Sequence, residues 1–255
     1  PVGLSEMTIA EAAQMCNVSQ PTFVRISRRL GFEGFAQLKA ALRQVKTDQN
    51  AERLPSDLYQ HMSASDDPYE IASQIVRASI QSMEDLMCVL DREQFNGAVN
   101  ALLSAHRVGF YGVGDAAIVA ESAYHKFSRM GTLCTSSNDP DIQLIQASQL
   151  QKGDACVLIS HSGRSRTTVN TARRAREMGA TVISITNYPY SQLARLSDCV
   201  LTTASFMEHS GEVITKRISE LVLVEGLFIS VMLRGGGAYQ TALARSNEAL
   251  VENKL

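Results

Sequence analysis

An apolar run ends abruptly in three hydroxyls and one glycine in the stretch Val157-Leu158-Ile159-Ser160-His161-Ser162-Gly163-Arg164-Ser165. The residues that follow, Thr167–Met178, have a helical pattern. A buried strand that leads directly into a helix is the repeating unit of a parallel α/β sheet. The stretch therefore predicts a parallel strand that delivers three serines to a helix N-terminus.

These serines suit an anion-binding site. The unpaired N–H groups and the dipole of a helix N-terminus favour an anion. Serine hydroxyls can donate to phosphate oxygens without adding a charge. The same residues also fit an ordinary turn in which Ser162 or Ser165 caps the helix through its side chain. The segment by itself leaves both interpretations open.

Apolar runs and helical stretches alternate on both sides of this segment. The strand candidates are Val108–Gly112, Thr132–Thr135, Ala155–Ser160, Thr181–Thr186 and Cys199–Thr202. The helix candidates between them are Ala116–Met130, Ile142–Leu150, Thr167–Met178 and Ser191–Leu196. Further helices are predicted at Tyr69–Leu90, Val213–Leu233 and Tyr239–Lys254. The alternation predicts an α/β fold, a three-layer α/β/α domain with a five-stranded parallel sheet.

The composition allows one large domain or two smaller ones, with 255 residues and 45% hydrophobic side chains. No apolar run approaches the length of a membrane span, so no membrane partner is expected. The five cysteines are scattered and form no Cys-x-x-Cys pair. We therefore expect reduced thiols and a cytoplasmic location. The sequence begins with Pro1, so the lack of a visible signal peptide says little about the location of the protein.

The net charge of −2 conceals a basic segment near the N-terminus. Between Gln20 and Lys46 there are six basic residues and one acidic residue. A solvated helix face could produce such an excess. A basic patch confined to one end is also typical of a nucleic-acid-binding module.

Two short helices are predicted within residues 8–30. Thr8 is expected to cap the first helix, with Glu11 at the capping-box position. Ser19 is expected to cap the second, which ends before Gly31. Two helices joined by a tight turn suit a helix-turn-helix, although such pairs also occur as plain packing units. The residues expected at the DNA are Ser19, Gln20, Thr22, Arg25, Arg28, Arg29 and Lys39.

The segment between the two patterns is polar. Residues 47–68 hold Pro55 and Pro68 and lack sustained periodicity, which is typical of a linker. We therefore expect a helix-turn-helix domain at 1–46 and an α/β domain with flanking helices at 69–255.

The N-terminal part carries an ordered series of short motifs. They are Ile9-Ala10-Glu11, Asn17-Val18-Ser19, Thr22-Phe23-Val24-Arg25, Leu30-Gly31-Phe32 and Gly34-Phe35-Ala36-Gln37-Leu38-Lys39. Together they resemble the DNA-binding domain of RpiR-type transcriptional regulators, which implies operator DNA as a partner. In that family further helices precede this pair, so the module is expected to be incomplete in this chain.

The α/β part carries a second series. Its motifs are Phe110-Tyr111-Gly112-Val113-Gly114, His125-Lys126-Phe127, Ile159-Ser160-His161-Ser162-Gly163-Arg164-Ser165 and Gly179-Ala180-Thr181-Val182-Ile183. They resemble the sugar isomerase (SIS) domain that RpiR regulators carry after the linker, where it binds a phosphosugar effector. In the family the Ser-x-Ser-Gly-x-Ser/Thr loop grips the phosphate, a role that falls on Ser160, Ser162 and Ser165. The set of residues expected at the effector is Gly112, Gly114, Asp115, Ala116, Asp141, Ser160, His161, Ser162, Gly163, Ser165, Glu212 and Arg217.

Two motifs depart from the family pattern. The first loop usually reads Gly-x-Gly-x-Ser, whereas Ala116 replaces the serine here and Asp115 adds a carboxylate. After the second strand an Asp-x-His-x-Gln pattern is common, and Asp141 stands in place of the histidine. A carboxylate near a phosphate lowers affinity through like-charge repulsion unless it is turned away.

The interpretation adopted is a transcription factor of sugar metabolism that performs no catalysis and needs no metal or cofactor. A homodimer or tetramer is expected, because one helix-turn-helix contacts only a few base pairs. The main alternative is a phosphosugar isomerase. That chemistry needs a base for proton transfer, and the candidates are Glu212, His209 and His125.

A second alternative is a dinucleotide-binding domain. Gly112-x-Gly114-x-x-Ala117 follows a predicted strand and opens a helix, and Asp139 stands at about the right distance to hold a ribose. This interpretation leaves the serine loop unexplained.

Overall fold

In the computed structural model the chain divides into two compact units, residues 1–58 and residues 59–255. The structure describes residues 7–15, 18–29, 34–39, 67–203, 212–251 and 253. The segment predicted as a linker lies outside these ranges apart from Asp67 and Pro68.

The N-terminal unit holds two short helices, α1 (Ile9–Met15) and α2 (Gln20–Arg29), and residues 35–39 are also helical. Their apolar sides meet in a small core. The buried members of this core are Ala12, Ala13, Phe23, Phe35 and Leu38. The rings of Phe23 and Phe35 pack edge to face, with centroids 5.4 Å apart. The predicted all-helical N-terminal module is confirmed.

In the described part of the C-terminal unit two helices come first, α3 (Pro68–Val89) and α4 (Arg92–Ser104), and strands then alternate with helices. The strands are β1 (Val108–Tyr111), β2 (Cys134–Ser136), β3 (Ala155–Ile159), β4 (Thr181–Thr186) and β5 (Cys199–Thr202). The later helices are α5 (Asp115–Arg129), α6 (Pro140–Ser148), α7 (Arg166–Glu177), α8 (Glu212–Arg234) and α9 (Gly237–Val251).

The five strands are parallel and lie in the order β2-β1-β3-β4-β5. Successive strand side chains point to opposite faces of the sheet. Val157 and Ile183 face the layer that contains α3, α4, α5 and α8, whereas Leu158 faces α6 and α7. The predicted three-layer α/β/α domain with a five-stranded parallel sheet is confirmed, with β2 at Cys134–Ser136 rather than Thr132–Thr135.

The segment Ser191–Leu196 was predicted to be a helix, and only its second half is helical. Within it, Ala194–Leu196 forms one turn of 3-10 helix. The N–H of Leu193 donates to the carbonyl oxygen of Gly163 at 3.0 Å, which joins this segment to the loop after β3. A segment this short can close at most two i→i−4 hydrogen bonds, so it lacks the cooperative stability of a longer α-helix.

Helix α4 was not predicted. Its Asn96-Gly97 pair is typical of a turn and obscures the helical pattern. In the structure a Cβ on Gly97 would lie 3.0 Å from the Sγ of Cys199. The glycine thus allows α4 to approach the sheet closely.

Long helices cover the face of the sheet that packs against α5. The buried hydroxyls of Ser82 on α3 and Ser219 on α8 are hydrogen-bonded at 2.7 Å. Within the described ranges, no one helix has both the length and the apolar composition of a membrane span. Arg217–Arg234 and Gly237–Val251 pass such a test only when they are taken together across a bend of 117°.

Candidate functional site

Strands β1 and β3 are neighbours in the sheet, so the loops that follow their carboxyl ends lie side by side, and we call the space between these loops the crevice. Helix α5 follows β1 on one face, whereas α7 follows β3 on the other. In open parallel sheets ligands bind outside the carboxyl ends of the strands, at the point where the connections change face. The structure therefore brings the two predicted loops, residues 112–114 and 160–165, to one crevice.

The loop 160–165 is held by backbone hydrogen bonds. The N–H of Gly163 donates to the carbonyl oxygen of Ser160 at 3.0 Å, and the carbonyl of Gly163 accepts from Leu193 at 3.0 Å. Gly163 has φ of +60°, and a Cβ there would lie 2.0 Å from the Oγ of Ser191. Only glycine fits this turn, which places the serines before the N-terminus of α7.

The three serines differ in burial and in partners. Ser160 is buried, Ser162 is exposed and Ser165 is half-buried. Ser165 occupies the N-cap position of α7 but makes no side-chain capping hydrogen bond. The Oγ of Ser162 accepts from the N–H of Arg164 at 3.3 Å, within the loop itself. An ordinary side-chain cap therefore does not account for these serines in the described structure.

His161 anchors the loop through its backbone. Its carbonyl oxygen accepts from the N–H of Asn187 and from the Oγ1 of Thr186, each at 3.0 Å. Its ring packs edge to face on Tyr188, with centroids 5.9 Å apart. These contacts tie the serine loop to the end of β4.

The loop after β1 is equally constrained. A Cβ on Gly112 would lie 2.7 Å from the carbonyl oxygen of Ala116, and Gly114 has φ of +59°. Asp115 forms an ion pair with Arg217 of α8, with 2.8 Å between Oδ1 and a guanidinium nitrogen. A cation this close offsets the repulsion that the carboxylate would exert on a bound anion. The residues Asp115 and Arg217 thus act as one unit beside the crevice.

The loop after β2 brings two carboxylates to the N-terminus of α6. One oxygen of Asp139 accepts from the N–H groups of Asp141 at 2.8 Å and Ile142 at 3.0 Å, so Asp139 is the N-cap. This capping role argues against Asp139 as the ribose acceptor of a dinucleotide site. Asp141 is exposed in the first turn of α6, beyond the carboxyl end of β2.

Gln143 was missed in the sequence analysis. Its side chain is fully buried, and its Nε2 donates to the carbonyl oxygens of Gly112 at 2.6 Å and Ser137 at 2.7 Å. The available signal was its place at the end of the Asp-x-His-x-Gln pattern. A buried amide on an otherwise apolar helix side is a polar group that needs partners.

Of the three residues proposed for proton transfer, the structure describes the side chain of His125 alone. Asp115 begins α5 at the crevice, and His125 is exposed about 15 Å farther along the axis of the same helix. His209 and the side chain of Glu212 lie outside the described residues. Within the described ranges no cluster of three or more His, Cys, Asp or Glu side chains could hold a metal ion.

The helices of the N-terminal unit are capped as the sequence predicts. The N–H of Thr8 donates to Glu11 Oε2 at 2.7 Å, and the N–H of Glu11 donates to Thr8 Oγ1 at 3.3 Å. The hydrogen bonds from the backbone and side chain of Thr8 lower the pKa of Glu11. The Oγ of Ser19 accepts from the N–H of Thr22 at 3.3 Å. These caps define the start of both helices.

The exposed side of α2 carries polar and basic residues. Gln20, Arg25 and Arg28 are exposed, whereas Phe23 and Ser27 are buried on the opposite side. This separation of an exposed polar side from a buried apolar side is the arrangement that a recognition helix needs in order to enter a major groove.

The remaining residues predicted at the DNA differ in their surroundings. The Oγ1 of Thr22 lies 2.8 Å from the Oγ of Ser19 and 3.4 Å from the guanidinium of Arg25. The Nζ of Lys39 donates to the carbonyl oxygen of Met7 at 3.0 Å, which restrains it at the start of α1. The side chain of Arg29 lies outside the described residues.

Comparison with known proteins finds the same two modules. The SIS domain family matches residues 101–230, and the helix-turn-helix domain of the rpiR family matches residues 2–49. The HTH-type transcriptional regulator HexR of Pseudomonas aeruginosa is 33% identical over 260 residues, which cover 100% of this chain and 87% of HexR.

Solved structures with this fold include NanR and a phosphoheptose isomerase. The NanR protein of Vibrio vulnificus, complexed with ManNAc-6P, has a TM-score of 0.68 and 23% identity over 98% of this chain and 88% of NanR. The phosphoheptose isomerase GmhA of Neisseria gonorrhoeae has a TM-score of 0.55 and 16% identity over 64% of this chain and 97% of GmhA.

Proposed function

Since this chain belongs to the rpiR family of helix-turn-helix transcriptional regulators that carry a SIS domain, we propose that a phosphorylated sugar in the crevice between β1 and β3 controls its binding to operator DNA. The observation that carries the proposal is the N-terminus of α7, where three serines precede a helix whose N-cap makes no side-chain hydrogen bond. A phosphate there would accept from serine hydroxyls and from helix N–H groups.

The Asp115–Arg217 pair supports an anionic ligand in this crevice. The Asp115 carboxylate is satisfied by the guanidinium. The Nε of Arg217 is buried and has no hydrogen-bond partner among the described residues, and the pairing of Asp115 with this cation leaves the carboxylate's repulsion on an anion offset. The departure from the family pattern at Asp115 therefore does not exclude a phosphate.

The proposed effector is a sugar phosphate as a class. ManNAc-6P, to which NanR is bound, belongs to that class. The exposed Asp141 carboxylate suits a sugar hydroxyl or an amino group, because an ionised carboxylate only accepts hydrogen bonds. The regulator would act in the cytoplasm, on operator DNA, without a metal or cofactor.

A panel of hexose, pentose and amino-sugar phosphates, titrated into the full-length protein, tests the effector class by thermal shift. A ligand present at one hundred times its Kd raises the free energy of unfolding by about 2.7 kcal/mol. The correct member of the panel should therefore raise the Tm of the protein by about 5 °C or more. The unphosphorylated sugar should raise it far less. A Tm that no phosphorylated member moves would contradict the proposed effector class.

A second candidate function, isomerisation of a phosphosugar, has fold similarity to a phosphoheptose isomerase in its favour. We propose instead that the chain does not catalyse this reaction, because His125, the candidate base whose side chain is described, lies about 15 Å along the α5 axis from Asp115. Incubation of the panel with the protein, followed by chromatography, should show no interconversion of aldose and ketose phosphates. Turnover would establish the isomerase alternative.

Replacing Arg25 with alanine should weaken operator binding by about 5- to 150-fold, the effect of losing a base contact of 1–3 kcal/mol. The probe is a duplex selected from randomised DNA by the wild-type protein, and the readout is a gel-shift titration. Arg92→Ala, which removes an exposed arginine from α4, is the matched control and should bind normally. Equal affinity of Arg25→Ala and wild type would remove Arg25 from the interface.

The chain is also proposed to form a homodimer or tetramer. Two half-sites about 34–36 Å apart give the specificity that one helix-turn-helix lacks. The C-terminal unit exposes apolar side chains on α3 and α8, including Val76, Ile80, Met87 and Leu233. Light scattering at micromolar concentration should therefore give the mass of two or four chains. A single-chain mass would contradict this assembly.

A further inference from the structure

Gln143 is a buried amide that joins two loops of the candidate site. Its Nε2 donates to the carbonyl oxygen of Gly112, after β1, at 2.6 Å and to the carbonyl oxygen of Ser137, after β2, at 2.7 Å. Its Oε1 is buried and has no hydrogen-bond partner among the described residues. Burying an unpaired polar atom costs free energy that an apolar residue would avoid. The two donated hydrogen bonds are therefore what a glutamine supplies at this position.

These two hydrogen bonds orient two peptide planes. The C=O of one residue and the N–H of the next point in opposite directions across a planar trans peptide. With the carbonyls of Gly112 and Ser137 turned toward Gln143, the N–H groups of Val113 and Asn138 point away from it. Neither N–H donates to another group in the part of the chain that the structure describes. Two neighbouring loops thus each present a backbone donor.

We propose that Gln143 is a positioning residue that holds the loops after β1 and β2 in the geometry that binds the sugar part of the effector. The inference rests on the proposed function, since it concerns the same crevice. Sugar oxygens would accept from the N–H groups of Val113 and Asn138.

The phosphate end of the effector is expected to be independent of Gln143. The serine loop follows β3 and has its own anchors, the Leu193 and Asn187 N–H groups. Gln143 therefore governs how much more tightly a sugar phosphate binds than inorganic phosphate. It does not govern the affinity for inorganic phosphate itself.

Gln143→Met tests this division, because methionine keeps the length of the side chain but removes both donated hydrogen bonds. Gln146→Met is the matched control, one turn later on α6, where the glutamine Oε1 is also buried without a partner among the described residues. Calorimetric titrations give each variant a Kd for inorganic phosphate and a Kd for the tightest sugar phosphate of the panel. In Gln143→Met the preference for the sugar phosphate should fall about tenfold while the phosphate Kd is unchanged. Gln146→Met should keep both values.

The possible results separate the two levels of the proposal. A parallel loss of both affinities in Gln143→Met would show a merely structural role and overturn the inference. A wild-type protein that prefers the sugar phosphate, with the preference intact in Gln143→Met, would overturn the inference alone. A wild-type protein that binds no sugar phosphate would overturn both the proposed function and the inference.

A measurement on the wild-type protein covers the case in which Gln143→Met does not fold. In an NMR titration, the amide resonances of Val113 and Asn138 should shift when the sugar phosphate saturates the site. Inorganic phosphate at equal saturation should leave them in place. Equal shifts with both ligands, or no shift with either, would overturn the inference.

Discussion

Replacement of Phe23 by alanine is expected to unfold the helix-turn-helix while the α/β unit stays folded. The Phe23 ring is buried and packs edge to face on Phe35. Truncating a core phenylalanine costs about 3–5 kcal/mol, which is comparable with the whole stability of a small domain. Hydrogen exchange in the full-length protein should therefore show protection lost over residues 9–29 and unchanged over residues 155–186.

The matched control for this change is Ile26→Ala on the same helix. Ile26 is 39% exposed, so its truncation should leave the exchange pattern of α1 and α2 intact. Operator binding should be abolished in Phe23→Ala, because an unfolded segment presents no recognition helix. Full operator affinity in Phe23→Ala would contradict the assignment of DNA binding to this unit.

Ser162→Ala is expected to weaken the binding of the sugar phosphate by about ten- to hundredfold. A hydrogen bond to a charged group contributes about 1.5–3 kcal/mol, and the lost hydroxyl is proposed to donate to the phosphate. Ser162 is exposed and its Oγ accepts only a 3.3 Å bond from Arg164 within the loop, so the fold should be unaffected. Calorimetric titration of the effector measures the loss of affinity.

Ser104→Ala is the control for this variant. Ser104 is an exposed serine at the end of α4, just before the start of β1. It therefore lies at the amino edge of the sheet, opposite the edge that carries the serine loop. Its removal should change neither effector affinity nor operator affinity. If Ser162→Ala bound the effector as tightly as Ser104→Ala does, the serine loop would not be the phosphate site.

Much of the fold can be predicted from local patterns. Strands β1, β3 and β4 are short, largely apolar runs because the centre of the sheet is buried on both faces, as Val157 and Leu158 show by packing into opposite layers. The capping box of Thr8 and Glu11 forms as the spacing predicts, since its partners are three residues apart. The two loops of the crevice follow from the same strand-to-helix connections.

The remaining features depend on contacts between residues that are distant in sequence. Asp115 and Arg217 stand on different helices, so no spacing rule predicts that one neutralises the other. Gln143 acts on the carbonyls of Gly112 and Ser137, and no side-chain pattern encodes which backbone oxygens it will meet. The hydrogen bond from Leu193 to Gly163 likewise joins residues that are distant in sequence.

Operator affinity of the full-length wild-type protein, measured against sugar phosphate concentration, tests the central claim most directly. The probe is the selected duplex, followed by fluorescence anisotropy at fixed salt, because salt alone changes such affinities strongly. We expect the sugar phosphate with the largest thermal shift to change the operator Kd by about 5- to 150-fold, the range of ordinary coupling free energies. An operator Kd that stays constant at a saturating concentration of that sugar phosphate would contradict the claim that the crevice controls DNA binding.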